Sequence, residues 1–345
     1  MPDERGQWWT AYRMRWKRRR LLWRSFRSRR DLVPVVDRTD RIRPGDVLAF
    51  TTARNEQLRL PHFLSHYRAL GVGHFLFVLN NSDDATEAFL ADQPDVSLWQ
   101  TKAGYKASRF GVDWITWLLF RYGHRHWCLT VDVDEVLIYP HCDTRSLPDL
   151  TKFLEQSDAA AMGALMLDLF PQGPLDQPTY APGQDPTEVL THFDAGPYRA
   201  ERQSPAQNLW VQGGPRDRVH FADRPARAPT LNKLPLVRWS RRYAYLNSTH
   251  SALPPHLNLA WDGPVGLSGD TRLSGALLHT KFLPDILARS REEKARREHF
   301  GRPEDFDDYY DWLSSAPDLW HEGAVAYQGW RQLVDLGLIS AGGWE

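Results

Sequence analysis

Apolar and polar positions along this chain alternate between two rhythms. Val47–Thr51 is a short apolar run that ends in the polar stretch Thr52-Ala53-Arg54-Asn55-Glu56. Apolar positions then recur at helical spacing from Leu58 to Leu70, and Gly71 supplies a helix stop. His74–Leu79 reads as a second strand, followed by the turn-forming Asn80-Asn81-Ser82-Asp83-Asp84 and a helix over Ala85–Ala91. Val96–Gln100 is a third strand, and Ser108–Tyr122 shows helical recurrence through Phe110, Trp114, Trp117 and Leu118. Leu129–Val133 is a fourth strand, continued by the apolar patch Val136–Tyr139. Strand and helix in alternation predict an α/β sheet with both faces covered, where ligands sit beyond the carboxyl ends of the strands. The strands near Thr52, Asn80 and Asp132 all finish in polar residues, which locates one crevice.

Beyond Leu169 the pattern weakens. Phe170–Thr230 is rich in Pro, Gly, Gln and Asp, as long functional loops or disordered segments are. Regular signals return at Leu234–Trp239 and Ala276–Leu278. A charged helix is expected over Ile286–Phe300, and an amphipathic one over Gly323–Leu338.

The 345 residues suffice for a full core, and 42% apolar with 25% charged residues is ordinary for a globular chain. No apolar stretch approaches the roughly 18–20 residues that span a bilayer, and no signal-like apolar core follows the basic start. Cys128 and Cys142 cannot build a disulfide scaffold, which favours a reduced, cytoplasmic setting. Zero net charge hides an asymmetry: residues 1–30 hold eleven Arg or Lys against two acids. Trp8, Trp9, Tyr12, Trp16, Trp23 and Phe26 lie among those cations, with Tyr12, Trp16 and Trp23 on one helical face. Such a segment suits an anionic membrane surface, placing the protein peripherally on the inner face of the cell membrane; a solvated tail or one packed on its own body is the plainer reading. No recognition motif supports nucleic acid.

The chemistry concentrates in LTVDVDEVLIYP, Leu129–Pro140. Alternation along an extended chain turns Asp132 and Asp134 the same way, and two adjacent carboxylates call for a cation; hard oxygen donors suit Mg²⁺ or Mn²⁺. A metal there can hold the phosphates of a nucleotide.

Four ordered blocks, TTARNEQLRLPHFLSHYRALGVGHFLFVLNNSDDAT (Thr51–Thr86), SRFGVDWITWLLFRYGHRHWCLTVDVDEVLIYP (Ser108–Pro140), GGPRDR (Gly213–Arg218) and LLHTKFL (Leu277–Leu283), resemble the family 2-like glycosyltransferases of the GT-A fold, in their bacterial Arg-Asn-Glu branch. The resemblance implies a Rossmann-like mixed sheet with covering helices over 45–285, after a basic Trp/Arg-rich segment (1–36) and before a C-terminal helical extension (286–345). It also implies a metal-dependent, inverting hexosyl transfer from a nucleoside diphosphate sugar to a glycan or lipid-linked acceptor, as in surface polysaccharide synthesis.

Matched position by position, Asp132 and Asp134 hold the metal and the donor's ribose and diphosphate, and His279 completes the metal shell. Arg54, Asn55, Glu56 and Asp83 meet the base and ribose. Lys102, Arg109 and Lys281 are candidates to steady the departing diphosphate. The acceptor needs a base, for which Asp217 is favoured over Glu201 and His250. Trp114 and Trp117 read as core, whereas Trp210, Trp239 or Trp261 is a candidate sugar platform. Leu129–Val136 also fits a haloacid-dehalogenase-like phosphohydrolase, with Asp132 as nucleophile and Asp134 as general acid. That class needs a later acidic pair, and Gly269-Asp270 is followed by Ser274 instead. An inactive glycosyltransferase-like binding module is the non-enzymatic alternative.

Overall fold

The computed structural model describes residues 4–264, 272–296 and 303–345. Gly269-Asp270 and the last turn of the helix expected over Ile286–Phe300 lie outside the described residues.

Helix α1 (Glu4–Ser28) precedes strands β1 (Val33–Val36) and β2 (Val47–Ala53). Then come α2 (Leu60–Ala69), β3 (Val72–Asn80), α3 (Thr86–Ala91), β4 (Val96–Thr101), α4 (Val112–Tyr122), β5 (Trp127–Thr130), β6 (Glu135–Ile138), α5 (Leu147–Gln156) and β7 (Ala161–Asp168). The irregular stretch carries β8 (His192–Phe193) and a hairpin of β9 (Arg199–Gln203) and β10 (Asn208–Gln212). After it follow β11 (Asn232–Arg238), the small pair β12 (Ala244–Tyr245) and β13 (Ala252–Leu253), β14 (Gly275–His279), α6 (Ile286–Arg296), α7 (Pro303–Ser314), β15 (Val325–Ala326) and α8 (Trp330–Asp335).

Nine strands form one sheet in the order β1-β4-β3-β2-β5-β11-β7-β14-β6. β4, β3, β2 and β5 run parallel, and β11 is antiparallel to both β5 and β7. β14 is parallel to β7, while β1 and β6 are antiparallel edges. Two reversals through β11 leave β7 and β14 aligned with the β2 group. The carboxyl ends at Ala53, Asn80, Thr130, Asp168 and His279 therefore meet at one sheet edge.

Alternation explains the layers. Val47 and Ala49 of β2 join Phe63 and Tyr67 of α2 and Leu150 of α5 on one face. Leu48 and Phe50 join Trp114, Ile115 and Leu118 of α4 on the other. Gly71, at φ +94°, ends α2 in the left-handed conformation that glycine adopts without a Cβ clash. The chain is an α/β protein with a mixed Rossmann-like sheet and covering helices, the class expected from its sequence.

Three expectations change. Val33–Val36, assigned to the N-terminal segment, is an edge strand of the sheet. The helix expected over Gly323–Leu338 shortens to Trp330–Asp335, because Val325–Ala326 pairs with β8. Most consequential, the stretch around Asp132 is not one strand. β5 stops at Thr130, and Glu135 opens β6 four places away in the sheet. Val131–Asp134 crosses the ends of the intervening strands, so the alternation that would align Asp132 with Asp134 does not apply.

Candidate functional site

Where Val131–Asp134 crosses the sheet edge, a cleft of about 270 Å³ is lined by the β2 end (Thr52 to Glu56), Asn80, Tyr105, Asp132, Val133, Asp134 and His279, with Arg289 and Glu292 of α6. Register builds its floor. On adjacent strands His279 sits opposite Asp168 on one side and Glu135 on the other. His279 Nδ1 lies 2.6 Å from an Asp168 carboxylate oxygen, and Nε2 lies 3.3 Å from Asp134. Asp168 is fully buried and accepts two hydrogen bonds from Arg216, at 2.7 and 3.0 Å. Burial works against the His279 imidazolium, but the Asp134 and Asp168 carboxylates outweigh it and raise its pKa. Burial likewise works against the Asp134 anion, and His279, Arg59 and Arg289 more than offset it, holding Asp134 well below the usual carboxylate range.

This donor set suits a divalent cation. A histidine anchored through one ring nitrogen by a buried carboxylate presents the other nitrogen in a fixed direction, as metal-bound histidines do. Two ligand candidates, Asp134 and His279, converge. Asp132 has a different partner: its carboxylate is 55% exposed and lies 3.3 Å from the buried Lys233 ammonium. Among the described residues no three His, Cys, Asp or Glu side chains are already drawn together as a metal shell.

Lys233, which sequence reasoning passed over, serves as a built-in counter-cation. Its Nζ is 2.8 Å from Glu135, a carboxylate without solvent exposure. Burial pushes Glu135 up to about 7, with Lys233 pulling down and Asp132 and Asp134 pushing further up. A second missed group lies on and beside α6. Arg289 forms a two-pronged pair with Glu56, Asp285 binds Arg59 at 2.6 and 2.7 Å, and Glu292 pairs with Arg54 at 2.5 Å. Glu56 is thus clamped between two guanidiniums at the head of α2.

The remaining candidates distribute unevenly. Asn55 lines the cleft with a left-handed backbone, φ 52°, and its side chain donates to Asp83 at 2.6 Å, so Asp83 orients Asn55 from outside. Arg109 is held by Asp113 at 2.6 Å and donates to the Tyr245 and Leu246 carbonyls, a strut beneath the cleft rather than a lining residue. Lys102 and Lys281 are not among the lining residues, and Lys281 lies over the Tyr309 ring.

None of the three base candidates faces the cleft. Asp217 is doubly paired with Arg199, Glu201 sits on β9 opposite Trp210, and half-buried His250 lies with Nδ1 2.6 Å from the Asn232 carbonyl. Burial, then the Lys233 charge, lowers His250 to about 3, so it stays neutral. Trp114, Trp239 and Trp261 are buried.

No protein-family model matches the chain, and no curated protein sequence matches it. Among solved structures, 4-diphosphocytidyl-2C-methyl-D-erythritol synthase is similar at 18% identity over 39% of this chain and 67% of its own, with a TM-score of 0.24. UDP-glucose pyrophosphorylase complexed with UDP-glucose is similar at 9% identity over 60% of this chain and 74% of its own, with a TM-score of 0.27. Likenesses this loose carry no functional argument, which rests instead on the chain's own geometry.

Proposed function

We propose that the chain is a glycosyltransferase of the GT-A type, moving a sugar from a nucleoside diphosphate sugar to the hydroxyl of a glycan or lipid-linked acceptor, with inversion. One observation carries this reading: the Arg54–Glu56 strand end, Asn80, Asp132, Asp134 and the Asp168-anchored His279 share one cleft at the carboxyl edge of the sheet.

Asp134 and His279 would hold Mn²⁺ or Mg²⁺, with Asp132 beside them toward the donor; an imidazole in the set suits Mn²⁺ well. The ion, when bound, neutralises charge on the departing diphosphate. The chain's own residues do the rest. Arg216 and Asp168 fix the His279 ring, Lys233 keeps Glu135 and Asp132 from repelling the donor, and Thr52 to Glu56 with Asn80 shape the nucleoside end. Glu292 replaces the sequence-based candidates as the proposed base. It is a cleft carboxylate on the helix opposite Asp134, and at 42% exposure it can reach an incoming hydroxyl.

The phosphohydrolase alternative gains one observation, since Lys233 beside Asp132 is a cation that could steady a phosphate oxygen. It leaves the Arg54–Glu56 end without a role. Hydrolysis of a panel of nucleotide sugars with Mn²⁺ and with chelator tests the proposal: turnover should require the ion, and Asp134→Ala should abolish it in a folded protein. Equal turnover with chelator sinks the metal assignment, and aryl phosphate hydrolysis requiring Asp132 would reverse the ranking.

A further inference from the structure

The basic segment is neither a loose tail nor buried. α1 docks on α4 and on β12 through one face only. Leu21 and Ser25 are buried there, and Phe26 meets Trp117 edge-on at 5.7 Å. Arg24 donates to Asp113 at 3.1 Å and to the Ala107 carbonyl at 3.0 Å. Turned away from that face, Trp8, Trp9, Tyr12, Trp16 and Trp23 are 61%, 58%, 40%, 48% and 60% exposed.

At about 100° per residue, those five rings occupy an arc of roughly 100° opposite Leu21 and Ser25. Trp8 stacks on Tyr12 at 5.6 Å and Tyr12 meets Trp16 at 6.2 Å, so this part of the exposed aromatic surface is continuous. An aromatic ridge held out by a packed helix needs an explanation beyond scattered surface hydrophobicity.

Charge supplies one. Between Trp8 and Arg30 lie ten Arg or Lys and no acid. Among the described residues, Arg24 is the one of these cations with a carboxylate partner. No helix among the described residues is long and apolar enough to cross a membrane. A helix with indole rings on one line and unneutralised arginines beside it matches the headgroup layer of an anionic bilayer, with the rings at the acyl boundary and the guanidiniums on phosphates.

We propose that α1 is a membrane-docking helix that lies flat on an anionic lipid surface through Trp8, Trp9, Tyr12, Trp16 and Trp23, flanked by Arg19 and Arg20. This surface stands independently of the transferase reading. It is joined to the cleft all the same, because Arg24 grips Ala107, two residues from the cleft-lining Tyr105.

The test uses the full chain and vesicles of phosphatidylcholine, with and without phosphatidylglycerol. Sedimentation should occur with the anionic vesicles at low salt and fall steeply at high salt. Arg19→Ser with Arg20→Ser should lower partitioning tenfold or more, at roughly 1 kcal/mol per cation. Trp8→Ser, Trp9→Ser and Trp16→Ser together should abolish it without shifting the melting temperature, because those rings lie away from the docked face. Quenching of tryptophan emission by brominated lipid, present in the wild type and lost in the triple variant, would place the rings in the bilayer even if sedimentation is partial. Failure of the wild type to bind anionic vesicles, or undiminished binding by the triple variant, overturns the proposal. Single-stranded RNA that binds through the same residues while vesicles do not would overturn it in favour of a nucleic acid.

Discussion

Replacing Lys233 by methionine keeps the length of the side chain and removes the ammonium 2.8 Å from Glu135 and 3.3 Å from Asp132. With the lysine present, Glu135 titrates at about 7, far above its ordinary 4.5, first because it is buried. Without it the carboxyl rises further and stays protonated in the folded chain, while the unfolded chain still ionises near the ordinary value. The sign follows from linkage. A group whose folded pKa is raised stabilises fully below its unfolded pKa and loses that contribution as pH rises through the folded value.

Wild type and variant therefore lose stability together up to about pH 7, where the wild-type curve flattens and the variant's continues to fall. Near about pH 6 the two should differ by less than about 1 kcal/mol. Above about pH 7 the gap should widen by up to ~1.4 kcal/mol per unit, reaching ~3 kcal/mol near about pH 9, a size usual for breaking a buried ion pair. Urea midpoints read by tryptophan fluorescence across this range measure it, and adding Glu135→Gln should remove the widening. A gap constant with pH, or none at about pH 9, would refute the reasoning, because Glu135 would then not be the partner that Lys233 keeps ionised.

Asp168→Asn should weaken Mn²⁺ binding about 10–100-fold in a titration followed by electron paramagnetic resonance, since the His279 ring loses its anchor; unchanged affinity would remove the Asp168–His279 pair from the metal site. Glu292→Gln should lower kcat for transfer about 100-fold or more in a variant whose melting temperature shows it folded, and an unaltered kcat would disqualify it as the base. Burial lowers His66 to about 4 and His250 to about 3. The unfolded chain binds those protons first, so the contribution of each imidazole is complete above about pH 6.5 and should drop by about 2 kcal/mol by about pH 5, while Glu135 contributes in the opposite direction over the same window. In a Glu135→Gln background, where the opposing carboxyl is gone, denaturant midpoints that stay flat over that window would contradict this account of both histidines.

The first half of the sheet was legible because its strands are apolar on both faces and end in polar runs, a pattern that survives without tertiary knowledge. The break at Thr130 was not legible. Leu129–Val133 and Val136–Tyr139 look like one strand, and the β14 strand that pairs Glu135 with His279 lies far along the chain. Asp168 and Lys233 left faint signals: an acid closes the apolar run Ala161–Leu167, and a lysine stands beside the apolar positions of β11. A charge in a strand buried on both sides wants a partner, and asking where the partners lie would have pointed to both. Asp217 and Glu201 fell outside the cleft for a different reason, since Phe170–Thr230 is irregular locally but packs as an ordered hairpin and turns.

The ion pairs that tie Asp285, Arg289 and Glu292 to the β2 end give the chain an unusual dependence on its own far region. One wall of the crevice is supplied from more than two hundred positions downstream of the residues it faces. A fragment ending just before Asp285 would retain the aspartates, the histidine and the first strand end, yet its crevice would open to water on that side and Glu56 would keep only Arg59. In the full chain, a ligand that displaces the Arg54–Glu292 pair must also release α6 at that point. Occupancy of the crevice should therefore register as a change in hydrogen-exchange protection along α6, making the last helices the place to listen for what the first strands have bound.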